Sequence, residues 1–274
     1  MRFASVLHEG DRLAVAVLDD RAIPFRGVDE LGIGTPLELL ADPPRERRRS
    51  LPVDELAFRP VVPRPGKIIC VGLNYAAHAA EARREPTEHP TLFAKFAGSL
   101  CGPYDDIACP PESGAVDSEG ELAVVIGAHA RRIPRELAMS CVAGVTVAND
   151  VTMRDFQTRT SQWLAGKAWE ASTPVGPELV TLDEAGDLRS LRLRTTVGSL
   201  TLQDATTDLM LFDVATLISE ISVFAALAPG DLILTGTPEG VGFRRSPPRL
   251  LGPGDVVEIQ IDGIGRLRNR FCAG

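Results

Sequence analysis

Lysine is nearly missing from this chain: of 29 basic residues among 274, only Lys67, Lys95 and Lys167 are lysines. Basic charge is itself in the minority, 29 Lys and Arg against 37 Asp and Glu, for a formal net charge of −8. A protein that grips nucleic acid or an anionic membrane through its overall field needs the opposite balance, so both kinds of partner are disfavoured. No strand interleaves arginine with aromatics as a single-strand binder would. No apolar run approaches the length of a membrane span. The five cysteines (Cys70, Cys101, Cys109, Cys141, Cys272) are scattered, odd in number and never arranged as CxxC. That pattern fits reduced thiols better than a disulfide framework. Met1 to Asp19 carries Glu9, Asp11 and Arg12 among its apolar residues and reads as no leader peptide, so a cytoplasmic protein is expected.

What is present is enough chain to bury a full core. Arg2–Leu7 and Leu13–Leu18, split by HEGD, predict a hairpin, and the first 62 residues read as a small β-rich domain. DPPRERRRS is a polar connector within it, and the prolines of FRPVVPRPG mark a boundary before a main domain over 63–274. The main domain mixes short apolar strands with helical stretches, of which Leu209–Leu227 is the longest. The class expected is α+β.

The stretch VDSEGELAVVIG, closing at VANDVTMRD, carries the chemistry. Glu119 and Glu121 stand two apart at the head of a β-branched apolar run, so a strand would point both the same way. Two buried carboxylates side by side need a proton or a cation between them. Asp150 is a plausible third ligand, and an all-oxygen set suits a hard ion such as Mg²⁺ or Mn²⁺. The same two acids would also suit the wet face of a half-exposed strand.

In AAHAAEARRE, His78 and Glu81 stand at i and i+3 on a predicted helix, the relation of an imidazole to a carboxylate that orients it. The loop Glu85–Pro90 after that helix could serve as a lid, and His89 within it is expected to face solvent without a partner. RDFQTRTSQWLAGKAWE gathers Arg154, Gln157, Gln162 and Lys167 around Trp163 and Trp169, a mixture suited to a planar anion. In LILTGTPEG, Thr235, Gly236 and Thr237 follow a strand and can form an anion-binding nest.

Taken together, KIICVGLNYAAHAAE, DSEGELAVVIG, AGVTVANDVTMRD, GKAWEASTPVGPELV and LAPGDLILTGTPEGVG with GDVVEIQIDGIG resemble the fumarylacetoacetate hydrolase family, in the family's order from about residue 66 onward. The resemblance implies a mixed β-roll with flanking helices and a small N-terminal β-rich unit, commonly a homodimer. It implies a Mg²⁺ or Mn²⁺ cofactor on Glu119, Glu121 and Asp150, an acid–base dyad of His78 with Glu81, Lys167 beside the substrate, and Thr237 helping to hold a substrate carboxylate. The substrate expected is a small 2-oxo or β-dicarbonyl acid, with hydrolysis of an acylpyruvate-like compound from aromatic breakdown placed first. Isomerisation or decarboxylation of 2-hydroxyhepta-2,4-diene-1,7-dioate, oxaloacetate decarboxylation and a non-catalytic metal-bound binder are the alternatives. GKAWE stands where members often read GKSFD, and VGS (197–199) where many read VNG, which bears on pocket shape and substrate choice.

Overall fold

In this computed structural model the structure describes residues 1–274 apart from 34, 44–48 and 86, and apart from the side chain of 37. Most of the Arg-rich connector expected around 42–50 therefore lies outside the described residues. Arg2–His8 and Asp11–Leu18 pair antiparallel through Glu9 and Gly10, both at positive φ (51° and 89°). That backbone matches the right-handed twist of a two-residue hairpin. Arg2–His8 then pairs on its other side with Thr173–Val180.

Because of that pairing, the N-terminal strands extend the sheet of the main chain. The order runs Leu51–Pro52, Arg21–Pro24, Asp11–Leu18, Arg2–His8, Thr173–Val180, Val142–Asn149, Gly120–Ile126, Leu232–Leu234, Ile68–Gly72, Thr91–Lys95. The boundary expected at residue 62 does not interrupt hydrogen bonding. Phe3, Ala14, Ala16, Val61 and Val62 share one buried cluster with Ala123, Val125, Ala148 and Leu234. The N-terminal strands keep a smaller cluster of their own on the opposite face, with Val6, Val15, Val17 and Leu51.

Gly120–Ile126 and Val142–Asn149 are buried at every residue. Such continuous apolar runs belong to strands covered on both faces, which is why they sit at the sheet's centre. One cover is the N-terminal cluster. The other is a five-stranded sheet in the order Leu200–Thr206, Arg192–Val197, Val256–Ile261, Gly265–Ala273, Ile107–Cys109. Leu193, Val257, Ile259 and Leu267 of that sheet pack in one core with Leu122, Val124, Val145 and Val147.

The helix expected over Leu209–Leu227 is shorter, Val214–Phe224, because Asp213 caps it by accepting from the Thr216 N–H at 2.9 Å. Its Leu217, Ile218 and Ile221 close one end of the core. The helix carrying His78 is likewise only Ala76–Glu81; Arg83, at φ 55°, turns the chain out of it. The fold is α+β with two mixed sheets, a short antiparallel pair of Val116–Asp117 with Thr152–Met153, and few helices; Arg192–Val197 with Leu200–Thr206 and Val256–Ile261 with Gly265–Ala273 form antiparallel hairpins in the second sheet.

Candidate active site

Strand register brings the acids together. Gly120 pairs with Asn149 and Glu121 with Ala148, so Glu119 and Asp150 fall opposite each other where the two strands end. The Asp150 N–H donates to the Glu119 carbonyl at 2.9 Å, and the Glu119 N–H to Asn149 Oδ1 at 3.0 Å. Glu121 lies inside the strand, with Glu119 one residue ahead of it, and the two keep the common direction that their spacing predicts. One carboxylate oxygen from each of Glu119, Glu121 and Asp150 lies within 4.8 Å of the others. The three residues are only 5%, 1% and 0% exposed, so bulk water cannot screen their repulsion.

Scarce lysine now has an account. Lys167 Nζ donates to Glu119 Oε2 and to Asp150 Oδ2, both at 2.6 Å, and Lys95 Nζ donates to Asp150 Oδ1 at 2.7 Å. The third lysine, Lys67, pairs with buried Asp231 at 2.7 Å. Arg154 reaches Glu119 Oε1 at 2.6 Å. The rest of its guanidinium is held by Asp117, whose Oδ2 accepts from Nε at 2.9 Å and from the second terminal nitrogen at 2.8 Å. Asp117 also accepts the N–H groups of Gly242 and Phe243, each at 3.0 Å.

Burial opposes ionisation of Glu119, but Arg154 and Lys167 outweigh it and hold that carboxyl below the ordinary range. Burial likewise opposes charge on Lys167, and Asp150 and Glu119 reverse the balance, raising it. Glu121 goes the other way: burial, then the charges of Asp150 and Glu119, push it well above the ordinary value. Its Oε2 accepts the Gly236 N–H at 2.7 Å. Four acids, counting Asp117, thus face the three cations Lys95, Lys167 and Arg154, and a fully ionised set would carry one negative charge with no cation to match it. That surplus, with an oxygen-only donor set whose lone pairs are only partly engaged, fits a hard divalent cation. Glu119, Glu121 and Asp150 would hold it.

A cavity of about 640 Å³ opens onto Glu119 and Glu121, and His78, Lys167 and Thr237 line it too. His78 is buried, and its Nδ1 lies 3.2 Å from Glu81 Oε2. Glu81 is steadied in turn by the Gly240 N–H at 3.2 Å. The dyad expected from helical spacing therefore forms, on the same cavity as the acid cluster. Trp163 and Phe93 pack edge to face at 5.5 Å along the wall, and Lys167 Nζ lies 4.9 Å from the Phe93 ring centre.

The other expected substrate contacts divide. Arg154 and Gln157 line the cavity but bond to each other at 3.0 Å. Thr237 lines it too, yet its hydroxyl donates to the Gly120 carbonyl at 2.9 Å and accepts from Gln203 Nε2 at 2.7 Å. In the TGT loop the Gly236 N–H already serves an internal anion, Glu121. Gln162 is exposed and does not line the cavity, because Thr160 and Gln162 close a local turn on the surface. Glu85 and Thr87 of the expected lid loop line the cavity. His89, expected to stand alone, lies 3.4 Å from Glu220. Sequence reasoning passed over Lys95, Asp117 and Gln203. A lysine inside an apolar run is itself a sign of a buried, paired charge, whereas Asp117 and Gln203 carry no local signal.

The profile of the fumarylacetoacetate (FAA) hydrolase C-terminal family matches residues 67–272, which span every strand and loop just described. The chain belongs to the fumarylacetoacetate hydrolase family. It is 44% identical over 221 residues to the mitochondrial oxaloacetate tautomerase Fahd2a of Rattus norvegicus, covering 80% of this chain and 71% of that protein. Among solved structures, fumarylacetoacetate hydrolase from psychrophilic Exiguobacterium antarcticum aligns over 100% of both chains with a TM-score of 0.87 and 33% identity. The 2-hydroxyhepta-2,4-diene-1,7-dioate isomerase from Mycobacterium marinum aligns over 100% of this chain and 98% of its own, with a TM-score of 0.83 and 31% identity. As a fumarylacetoacetate hydrolase family member the protein is an enzyme. Among its described residues no helix is long and apolar enough to cross a membrane.

Proposed function

We propose that this enzyme shifts a proton on an enolisable 2-oxo dicarboxylic acid of the oxaloacetate type, with Mg²⁺ or Mn²⁺ as cofactor. The observation that carries the reading is the meeting of an oxygen-only acid cluster and a held histidine on one cavity. A divalent ion, when bound, supplies Lewis acidity that polarises a carbonyl and favours enolate charge. With Nδ1–H donated to Glu81, the His78 Nε2 is left as the basic nitrogen. In tautomerisation Nε2 takes the proton from the carbon beside the carbonyl and gives it up to the carbonyl oxygen, and ketonisation of an enol runs the same two transfers in reverse. Atoms and charge balance without a redox partner. Gly240 keeps Glu81 aimed at the ring, while Arg154 and Lys167 keep Glu119 ionised beside the reacting end of the cavity.

Similarity to an oxaloacetate tautomerase and to a dienedioate isomerase supports proton transfer over bond cleavage. Hydrolysis of an acylpyruvate-like acid is the second reading, supported by the likeness to a fumarylacetoacetate hydrolase. There His78 would deprotonate water instead of carbon. A binding protein without chemistry has no use for the His78–Glu81–Gly240 chain. The test offers enol-rich oxaloacetate with Mg²⁺ or Mn²⁺, follows loss of enol absorbance, and assays pyruvate release and acylpyruvate cleavage in parallel. His78→Ala should slow the preferred reaction by about 10²- to 10⁴-fold while metal affinity stays near the parent value; full activity in that variant removes His78 from the mechanism.

A further inference from the structure

The cations at the inner end of the cavity are already engaged. Arg154 serves Asp117, Glu119 and Gln157, and Lys167 serves Glu119 and Asp150. A dicarboxylic substrate would reach the acid cluster with one carboxylate and leave the other further out. Two more guanidinium groups line the same cavity: Arg84, just past the His78 helix, and Arg244, just past Phe243. Both are exposed, and neither side chain makes an ion pair or hydrogen bond among the described residues.

Burial is graded along this wall. Arg154 is buried and lies 6.0 Å from the centre of the Phe243 ring; Arg244 is exposed and lies 5.2 Å from the same ring. Phe243 therefore separates an inner guanidinium, consumed by internal acids, from an outer one with no ion pair or hydrogen bond among the described residues. Glu85 lines the rim as well and makes no ion pair among the described residues, so the outer groups are two cations against one acid.

We propose that Arg84 and Arg244 bind the distal carboxylate of the substrate and so select diacids over monoacids. The assignment rests on the proposed reaction of a 2-oxo diacid at this cavity. Guanidinium suits the task because its planar fork matches a carboxylate. Their exposure makes the selectivity sensitive to salt.

The test replaces both groups, Arg84→Met with Arg244→Met, and reads two ratios in the full chain. The first is kcat/KM for oxaloacetate over that for its 4-methyl ester. The second is the affinity for 2-oxoglutarate over that for 2-oxopentanoate, its monoacid counterpart, with Mn²⁺ present, read by tryptophan fluorescence because Trp163 lines the cavity. Both ratios should fall about tenfold or more, the usual weight of a hydrogen bond to a charged group, and the parent's preference should shrink as salt is added. The assignment is overturned if neither ratio moves, if both ligands weaken equally, or if the parent binds neither. A parent that turns over no 2-oxo acid, yet loses its 2-oxoglutarate preference in the double variant, sinks the proposed reaction and leaves the arginine subsite standing. Should the double variant fail to fold, each single variant is read the same way.

Discussion

Replacing Glu121 with Gln should stabilise the ion-free protein and abolish its response to divalent ions. Glu121 is an acid whose value is raised in the folded chain by burial and by Asp150 and Glu119. Above the ordinary glutamate value of 4.5, the unfolded chain releases a proton that the folded chain keeps. Folding stability therefore falls as pH rises through the window between 4.5 and the raised folded value. Each pH unit inside that window removes about 1.4 kcal/mol. Gln keeps an amide oxygen for the Gly236 N–H but cannot titrate, so its stability should be flatter there. Glu119 does not interfere, since its folded value is lowered and its contribution is lost only as pH falls below 4.5. In the parent, an ion at a hundred times its Kd adds about 2.7 kcal/mol. At about 2–4 °C per kcal/mol for a chain of this size, that is a rise of about 5–10 °C in Tm. The assay is thermal melting from pH 5 to 8 with chelator, Mg²⁺ or Mn²⁺. A Glu121→Gln protein that melts below the parent without ions, or still climbs with them, would refute the reasoning.

Asp117→Asn leaves the buried Arg154 guanidinium short of its counter-charge and should cost about 3–5 kcal/mol, visible as a lower urea midpoint; a change under about 0.5 kcal/mol, as at an ordinary surface site, would show that Asp117 does not hold Arg154 in place. Gly236→Ala is unfavourable twice over. The residue sits at φ 98°, and an added Cβ would lie 2.8 Å from Asn74 Cβ and 3.0 Å from the Val71 carbonyl. Strain of this kind costs about 1–3 kcal/mol, and because the Gly236 N–H holds Glu121, divalent-ion affinity measured by calorimetry should fall together with Tm. Loss of stability with unchanged affinity would show that the N–H does not place the acid.

Much of the architecture was open to inspection because short strands announce themselves. Arg2–His8 and Asp11–Leu18 run apolar on either side of a turn and form where expected, and Arg192–Val197, Leu200–Thr206 and Val256–Ile261 are strands of the same alternating kind. The acid cluster was legible for a similar reason: spacing of two on a strand fixes a common face, and motif order tied Asp150 to the same site. Helix lengths were less so, since a capping aspartate at 213 and a left-handed residue at 83 end them earlier than periodicity suggests.

Local spacing, then, determined the His78–Glu81 dyad and the shared direction of Glu119 and Glu121, because both are relations within one element. Tertiary structure alone decided which charges meet. Lys95 and Asp150 are 55 positions apart, Gln203 and Thr237 34, and Gly236 and Glu121 115. Nothing in the chain's order says that the TGT loop's N–H will be given to an internal carboxylate, or that Arg154 will be taken up by Asp117 while Arg84 and Arg244 find no ion pair among the described residues. Those outcomes follow from strand register and from the high cost of an unpaired charge away from water. Both are properties of the packed molecule.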